Sequence, residues 1–175
     1  MDKTDWRIEG LDLRLDRDLR VGALRYLDAA ALGSLAEALP GAVLPRPRQV
    51  LAIAPGTAAE IMLAWRSPTE VLVLSAGAAP FEALAAALRA ATHACFVDQT
   101  GGFWALRAAG PRAQDLLVRL GGAAAIPQPG EALIGRFADL SVVAVCLRAQ
   151  QYLLLVERVY AEHLLAWTSA TIGDL

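Results

Sequence analysis

The chain has 175 residues, 56% of them apolar and 19% charged, with a formal net charge of −2. At that length roughly 70% of the unfolded surface can be buried. Scattered basic residues leave no footprint for a nucleic-acid backbone, and no run of about 18 uncharged apolar residues exists to cross a membrane. The longest apolar stretch, Ala76 to Val97, is cut by Pro80, Glu82, Arg89 and His93. Typical soluble domains are about 45–50% apolar, so the excess here is expected in a large core or on a face covered by partner proteins.

Met1 to Gly10 carries Asp2, Asp5 and Glu9 where an export signal needs a basic start and an apolar run. The two cysteines, Cys95 and Cys146, are therefore expected as reduced thiols in the cytoplasm. A first strand is predicted over Leu11 to Leu15, with Asp12 and Arg14 alternating outward. Ala23-Leu24-Arg25 opens a second. Asp28 is placed to cap a helix carrying Leu32, Leu35, Ala36 and Leu39. A hairpin follows, Met62 to Arg66 and Val71 to Leu74, turning at Arg66-Ser67-Pro68-Thr69. Pro80 then starts a helix whose face is Phe81, Leu84, Ala85 and Leu88.

Past a seam near Thr92 to Phe96 the same order returns. An apolar strand ends at Asp98, and Gly101-Gly102 reads as a hairpin turn. Pro111 opens a helix carrying Ala113, Leu116, Leu117 and Leu120, and Gly121-Gly122 stops it. A second hairpin and a final helix carrying Tyr160, Leu164 and Trp167 complete the chain. Ala23-Leu24-Arg25 recurs as Ala105-Leu106-Arg107, an offset of 105 − 23 = 82. The same offset, without a gap, lays Met62 to Arg66 on Ala144 to Arg148 and Val71 to Leu74 on Leu153 to Val156. The expected fold is α+β: one compact domain, 1–175, of two fused ferredoxin-like (split β-α-β) halves at about 11–91 and 94–175.

Chemistry is sparse. The two histidines, His93 and His163, lie far apart, and the offset sets His163 opposite Phe81, a core or interface position. His93-Ala94-Cys95 supplies too few ligands for a zinc site, so no metal is expected. Cys95 and Cys146 read as small core residues, and no catalytic residue is assigned. Gly110-Pro111-Arg112 either simply initiates a helix or places Arg112 to meet an anion at its start. The carboxylate of Asp98 either caps its turn or faces a site. Trp65, Trp104 and Trp167 mark either the core or a partner-facing surface.

The run Phe96-Val97-Asp98-Gln99-Thr100-Gly101-Gly102-Phe103-Trp104-Ala105-Leu106-Arg107, continuing into Gly110-Pro111-Arg112-Ala113, resembles a segment of the folate-dependent aminomethyltransferase superfamily. Within it, Trp65-Arg66-Ser67-Pro68-Thr69-Glu70-Val71-Leu72 and Tyr152 to Trp167 are similar to the gamma-subunit family of heterotetrameric sarcosine oxidase. The chain departs from that pattern at Thr100, Ser67, Val71 and Val159, and most of all over Leu120 to Gly130, so it resembles a divergent member.

The resemblance implies an aminomethyltransferase-like (folate-binding-domain-like) fold and a non-catalytic subunit that binds no cofactor itself. It implies alpha and beta partner subunits carrying FAD, FMN, NAD and tetrahydrofolate, acting on an N-methyl amine such as sarcosine. A partner-facing surface would also favour self-association of the isolated chain. The alternative is a stand-alone tetrahydrofolate-binding or one-carbon-transfer protein, for which Asp98 and Trp104 are the cofactor-binding candidates.

Overall fold

The computed structural model describes residues 5–26, 30–90 and 94–175. Asp28, Thr92 and His93 lie outside those residues, as does the side chain of Leu32. Apolar runs of four to nine residues bounded by turns become strands, and the 3.6-residue patterns become helices. In chain order they are β1 (Asp5–Ile8), β2 (Leu11–Asp16), β3 (Arg20–Tyr26), α1 (Ala30–Ala38), β4 (Val50–Ile53), β5 (Ile61–Ser67), β6 (Glu70–Ser75) and α2 (Ala78–Arg89). Then come β7 (Ala94–Asp98), β8 (Phe103–Ala109), α3 (Ala113–Gly121), β9 (Glu131–Phe137), β10 (Leu140–Arg148), β11 (Gln151–Glu157) and α4 (Ala161–Gly173). No described helix is long and apolar enough to cross a membrane.

The chain divides into two compact units, Asp18–Thr100 and Met1–Arg17 with Gly101–Leu175. The first holds an antiparallel sheet in the order β4-β5-β6-β3-β7. Without the edge strand β4, that is the strand order of a split β-α-β unit, with α1 and α2 as its helices. The second holds the order β1-β2-β8-β11-β10-β9, also antiparallel. Here β2 occupies the place that β7 has in the other sheet, and 98 − 16 = 82 relates their last residues. The strand that leads into each repeat thus closes the sheet of the other: β2 pairs with β8, and β7 with β3.

That exchange explains Gly101-Gly102. β7 and β8 belong to different sheets and do not pair, so the glycines lie in a 3-10 turn, Thr100–Gly102, rather than in the expected hairpin. The expected strand pairs are also incomplete, since β4 and β9 make each a three-stranded meander. β4 is only four residues long. The pattern of β9 is broken by Gly135, where a Cβ would meet Phe137 Cε2 at 2.9 Å and Ala125 Cβ at 3.0 Å.

Register corrects the repeat. The hairpins close at Ser67 opposite Glu70 and at Arg148 opposite Gln151, so 148 − 67 = 81 and 151 − 70 = 81, not 82. The bulges agree, Trp65/Ser67 matching Cys146/Arg148. A one-residue slip moves every side chain to the opposite face. Accordingly Ile61 and Leu63, not Met62, pack in the first helix-facing core as Val142 and Ala144 do in the second. The helices shift further: buried Phe81, Leu84 and Leu88 of α2 match Ala161, Leu164 and Thr168 of α4, an offset of 164 − 84 = 80. His163 therefore does not stand where Phe81 does.

The predicted faces of α2 (Phe81, Leu84, Ala85, Leu88) and α3 (Ala113, Leu116, Leu117, Leu120) are all buried. Gly122, at φ +78°, stops α3 as the sequence indicates. On α4 only Leu164 of the three expected residues is buried; Tyr160 and Trp167 are 50% and 53% exposed. Ala36 of α1 is exposed while Leu35 is buried. In β6, Val71 to Ser75 are buried without a break, as are Tyr152 to Val156 in β11. Strands buried on both faces read as continuous apolar runs, and this absorbs much of the apolar excess within the chain.

Candidate functional site

Asp98 ends β7 and is exposed. Its Oδ1 accepts the backbone N–H of Thr100 at 2.9 Å, the turn-capping arrangement open to it from sequence. The Thr100 hydroxyl accepts the N–H of Val21 at 3.1 Å, and the N–H of Gln99 donates to Val21 O at 2.8 Å. The Asp-x-Thr run thus seals the end of β7 onto the start of β3.

Asp16 holds the corresponding place at the end of β2, but it is buried and its Oδ2 lies 2.7 Å from Arg107 Nε. Trp104, on β8, is half-buried; it packs against the helix-facing core of its unit, with the Arg17 guanidinium 5.2 Å from its ring centroid. Asp98 and Trp104 belong to different units.

Arg25 and Arg107 are counterparts in the repeat, and each is held by a carboxylate. Arg25 Nε is 2.6 Å from Glu70 Oε2, and Glu70 Oε1 is 2.6 Å from Arg66 Nη1. The hydrogen bond and charge of Glu70 raise the Arg25 pKa above its ordinary value. These arginines serve ion pairs inside the sheets.

Among the described residues no three His, Cys, Asp or Glu side chains are grouped to hold a metal ion. Cys146 is buried and its thiol donates to Arg148 O at 3.1 Å, at the bulge in β10; burial pushes the thiol pKa up. Cys95 is exposed, contrary to the expectation of a core residue, because it points away from the face that Phe96 buries. Arg112 sits at the start of α3, where its N–H donates to Gly10 O at 2.9 Å. Gly110, at φ +107°, is required beside it: a Cβ there would stand 2.5 Å from Gly10 O. The Gly-Pro-Arg run is thus a packed helix start.

Sequence comparison finds no match to a protein-family model or to a curated protein. Structural comparison does. A chain of heterotetrameric sarcosine oxidase from Corynebacterium sp. U-96 is similar with a TM-score of 0.81 and 21% identity, over 99% of this chain and 90% of that one. The glycine cleavage system aminomethyltransferase T from Bartonella henselae is similar with a TM-score of 0.69 and 14% identity, over 91% of this chain and 45% of that one. The chain has the aminomethyltransferase-like fold. The strand exchange, the Asp-x-Thr seal and the Gly-Pro-Arg helix start are elements of this chain's version of it.

What sequence reasoning missed is that Val159 and Tyr160 join Trp167 on one exposed surface. Val159 (80% exposed), Tyr160 and Trp167 lie along the outside of α4 and the turn before it. His163 lies among them, with its ring 6.4 Å from that of Trp167 and its Nε2 3.3 Å from Ala138 O. The signal was present in the helix itself, which carries large apolar residues on more than one face.

Proposed function

We propose that this chain is a non-catalytic, gamma-type subunit of a heterotetrameric flavin- and folate-dependent oxidase of an N-methyl amine such as sarcosine. The observation that carries the reading is the likeness to a sarcosine oxidase chain over nearly the full length of both. The aminomethyltransferase likeness covers less than half of that protein. The candidate Asp98 supports the same reading, since with Thr100 it seals a turn. In this proposal FAD, FMN, NAD and tetrahydrofolate belong to the larger alpha and beta subunits. The chain contributes surface and stability to the assembly.

The test is co-expression with the flavin-bearing large subunits of such an oxidase, followed by purification and assay of N-methyl amine oxidation. A complex of defined stoichiometry that loses stability or turnover without this chain is expected. Large subunits that assemble and turn over fully without it would overturn the proposal.

The shared fold with an aminomethyltransferase favours a second reading, tetrahydrofolate binding by the chain itself. Saturable quenching of tryptophan fluorescence by tetrahydrofolate, lost on Asp98→Ala or Trp104→Ala, would support it. An unchanged signal up to millimolar ligand would exclude it.

A further inference from the structure

The two repeats give the outer surface of α4 an internal control. Helix α2 occupies the same place in its own unit, and the offset of 80 sets Ala79, Ala83 and Ala87 against Val159, His163 and Trp167. The exposed residues of α2 are Ala78, Ala79, Glu82, Ala83, Ala86, Ala87 and Arg89. The fold therefore needs only alanine at those outward positions. On α4 and the turn before it the same positions carry a valine, a histidine and a tryptophan, with Tyr160 beside them.

Tyr160, His163 and Trp167, at i, i+3 and i+7, fall within one narrow arc of the helix. Aromatic side chains present about 150–250 Å² each, so with Val159 the exposed apolar area is roughly 300 Å², the size of a patch that on a monomer is often functional. The rim is acidic. From Glu157 to Asp174 the exposed charges are Glu157, Glu162 and Asp174 against Arg158, whereas Glu82 and Arg89 balance on α2.

We infer that the outer face of α4, centred on Tyr160 and Trp167, is the docking surface for a large subunit of the oxidase, and that the partner meets it with an arginine-bearing apolar patch. The inference rests on the proposed function. Interfaces are enriched in tyrosine, tryptophan and arginine, and a guanidinium over an indole gains a cation–π contact when desolvated. Glu157 and Glu162 supply the countercharge. His163 is a positioning residue: its contact with Ala138 O ties the β9–β10 turn to α4.

The experiment is co-purification of the full chain with its large subunits, using wild type, Trp167→Ala, Tyr160→Ala with Trp167→Glu, and Ala87→Glu on α2 as the matched control. Circular dichroism and thermal melts check folding. The expected result is at least about a tenfold loss of affinity for Trp167→Ala, no complex with the double variant, and wild-type assembly for Ala87→Glu. Raising salt should weaken the wild-type complex.

Folded variants that assemble like wild type overturn the docking surface and leave the subunit reading standing. A wild-type chain that never joins the large subunits overturns both. If sedimentation shows the isolated chain dimerising through Trp167 while assembly ignores it, the occupant is a second copy and the inference is wrong.

Discussion

Arg107 Nε reaches Asp16 Oδ2 at 2.7 Å across 91 positions of sequence, binding β8 to a strand that arrives from the start of the chain. The pair sits where loop-closure entropy works against the sheet, because β2 has no local connection to β8. Asp16 is buried and Arg107 is 39% exposed, so the pair is worth more than a surface contact and less than a fully buried one. Asp16→Ala should lower stability by about 1–3 kcal/mol. A double-mutant cycle with Arg107→Ala, read by urea unfolding, should show coupling; additive losses would mean the two act independently.

The Thr100 seal makes a different demand. Its hydroxyl accepts the Val21 N–H, and Asp98 holds the turn that presents it. Thr100→Val should cost about 1 kcal/mol or more by leaving that N–H unmet, while Thr100→Ser should cost little because it keeps the oxygen. Asp98→Ala should cost about 1 kcal/mol through the lost turn bond. A serine variant that costs more than the valine variant would show that the methyl, not the hydroxyl, matters.

Gly22 faces the ring of Phe96, which meets Phe81 edge-on with centroids 5.7 Å apart. A Cβ at Gly22 would lie 2.3 Å from Phe96 Cζ. Gly22→Ala should therefore destabilise by about 1–3 kcal/mol through overpacking. Phe96→Leu in the same chain should restore part of that loss; failure of any rescue would place the strain in the backbone instead.

The α2 and α3 faces were legible because polar residues separate their apolar stripes, and Gly122 was legible because few residues tolerate its φ. Register was not. Val71 to Leu74 and Leu153 to Leu155 are apolar at every position and buried throughout, so no alternation marks which residues face the helices. The gap-free offset of 82 set Met62 on Ala144, and only the ladders reveal 81. Tyr160 was placed on the helix's apolar face, and Trp167 was left between core and surface, for a related reason: apolar spacing reports a face, and it does not distinguish a core from a surface kept for a partner. The strand exchange left no mark at all, since β2 and β7 look alike whichever sheet receives them. Asp98 was left between capping its turn and facing a site; the bond to Thr100 that makes it a cap is local in sequence.

The two thiols separate cleanly by environment. Cys95 is exposed on an edge strand, while Cys146 is buried with its pKa raised by desolvation. A thiolate-selective reagent at neutral pH should label Cys95 in the folded protein and reach Cys146 only on unfolding. Tyr26 and Tyr152 are raised by burial as well. For each group the protonated form is favoured in the folded state, so its contribution is fully present below the unfolded pKa, about 8.5 for cysteine and about 10 for tyrosine. It is lost as pH rises through the folded value. Unfolding midpoints should fall above about pH 9, and Cys146→Ala should flatten the first part of that fall. If rapid labelling of Cys146 in the native chain were seen, the bulge at Cys146/Arg148 would have to open without global unfolding, and the edge formed by β9 and β10 would be a locally unstable unit rather than part of the cooperative core.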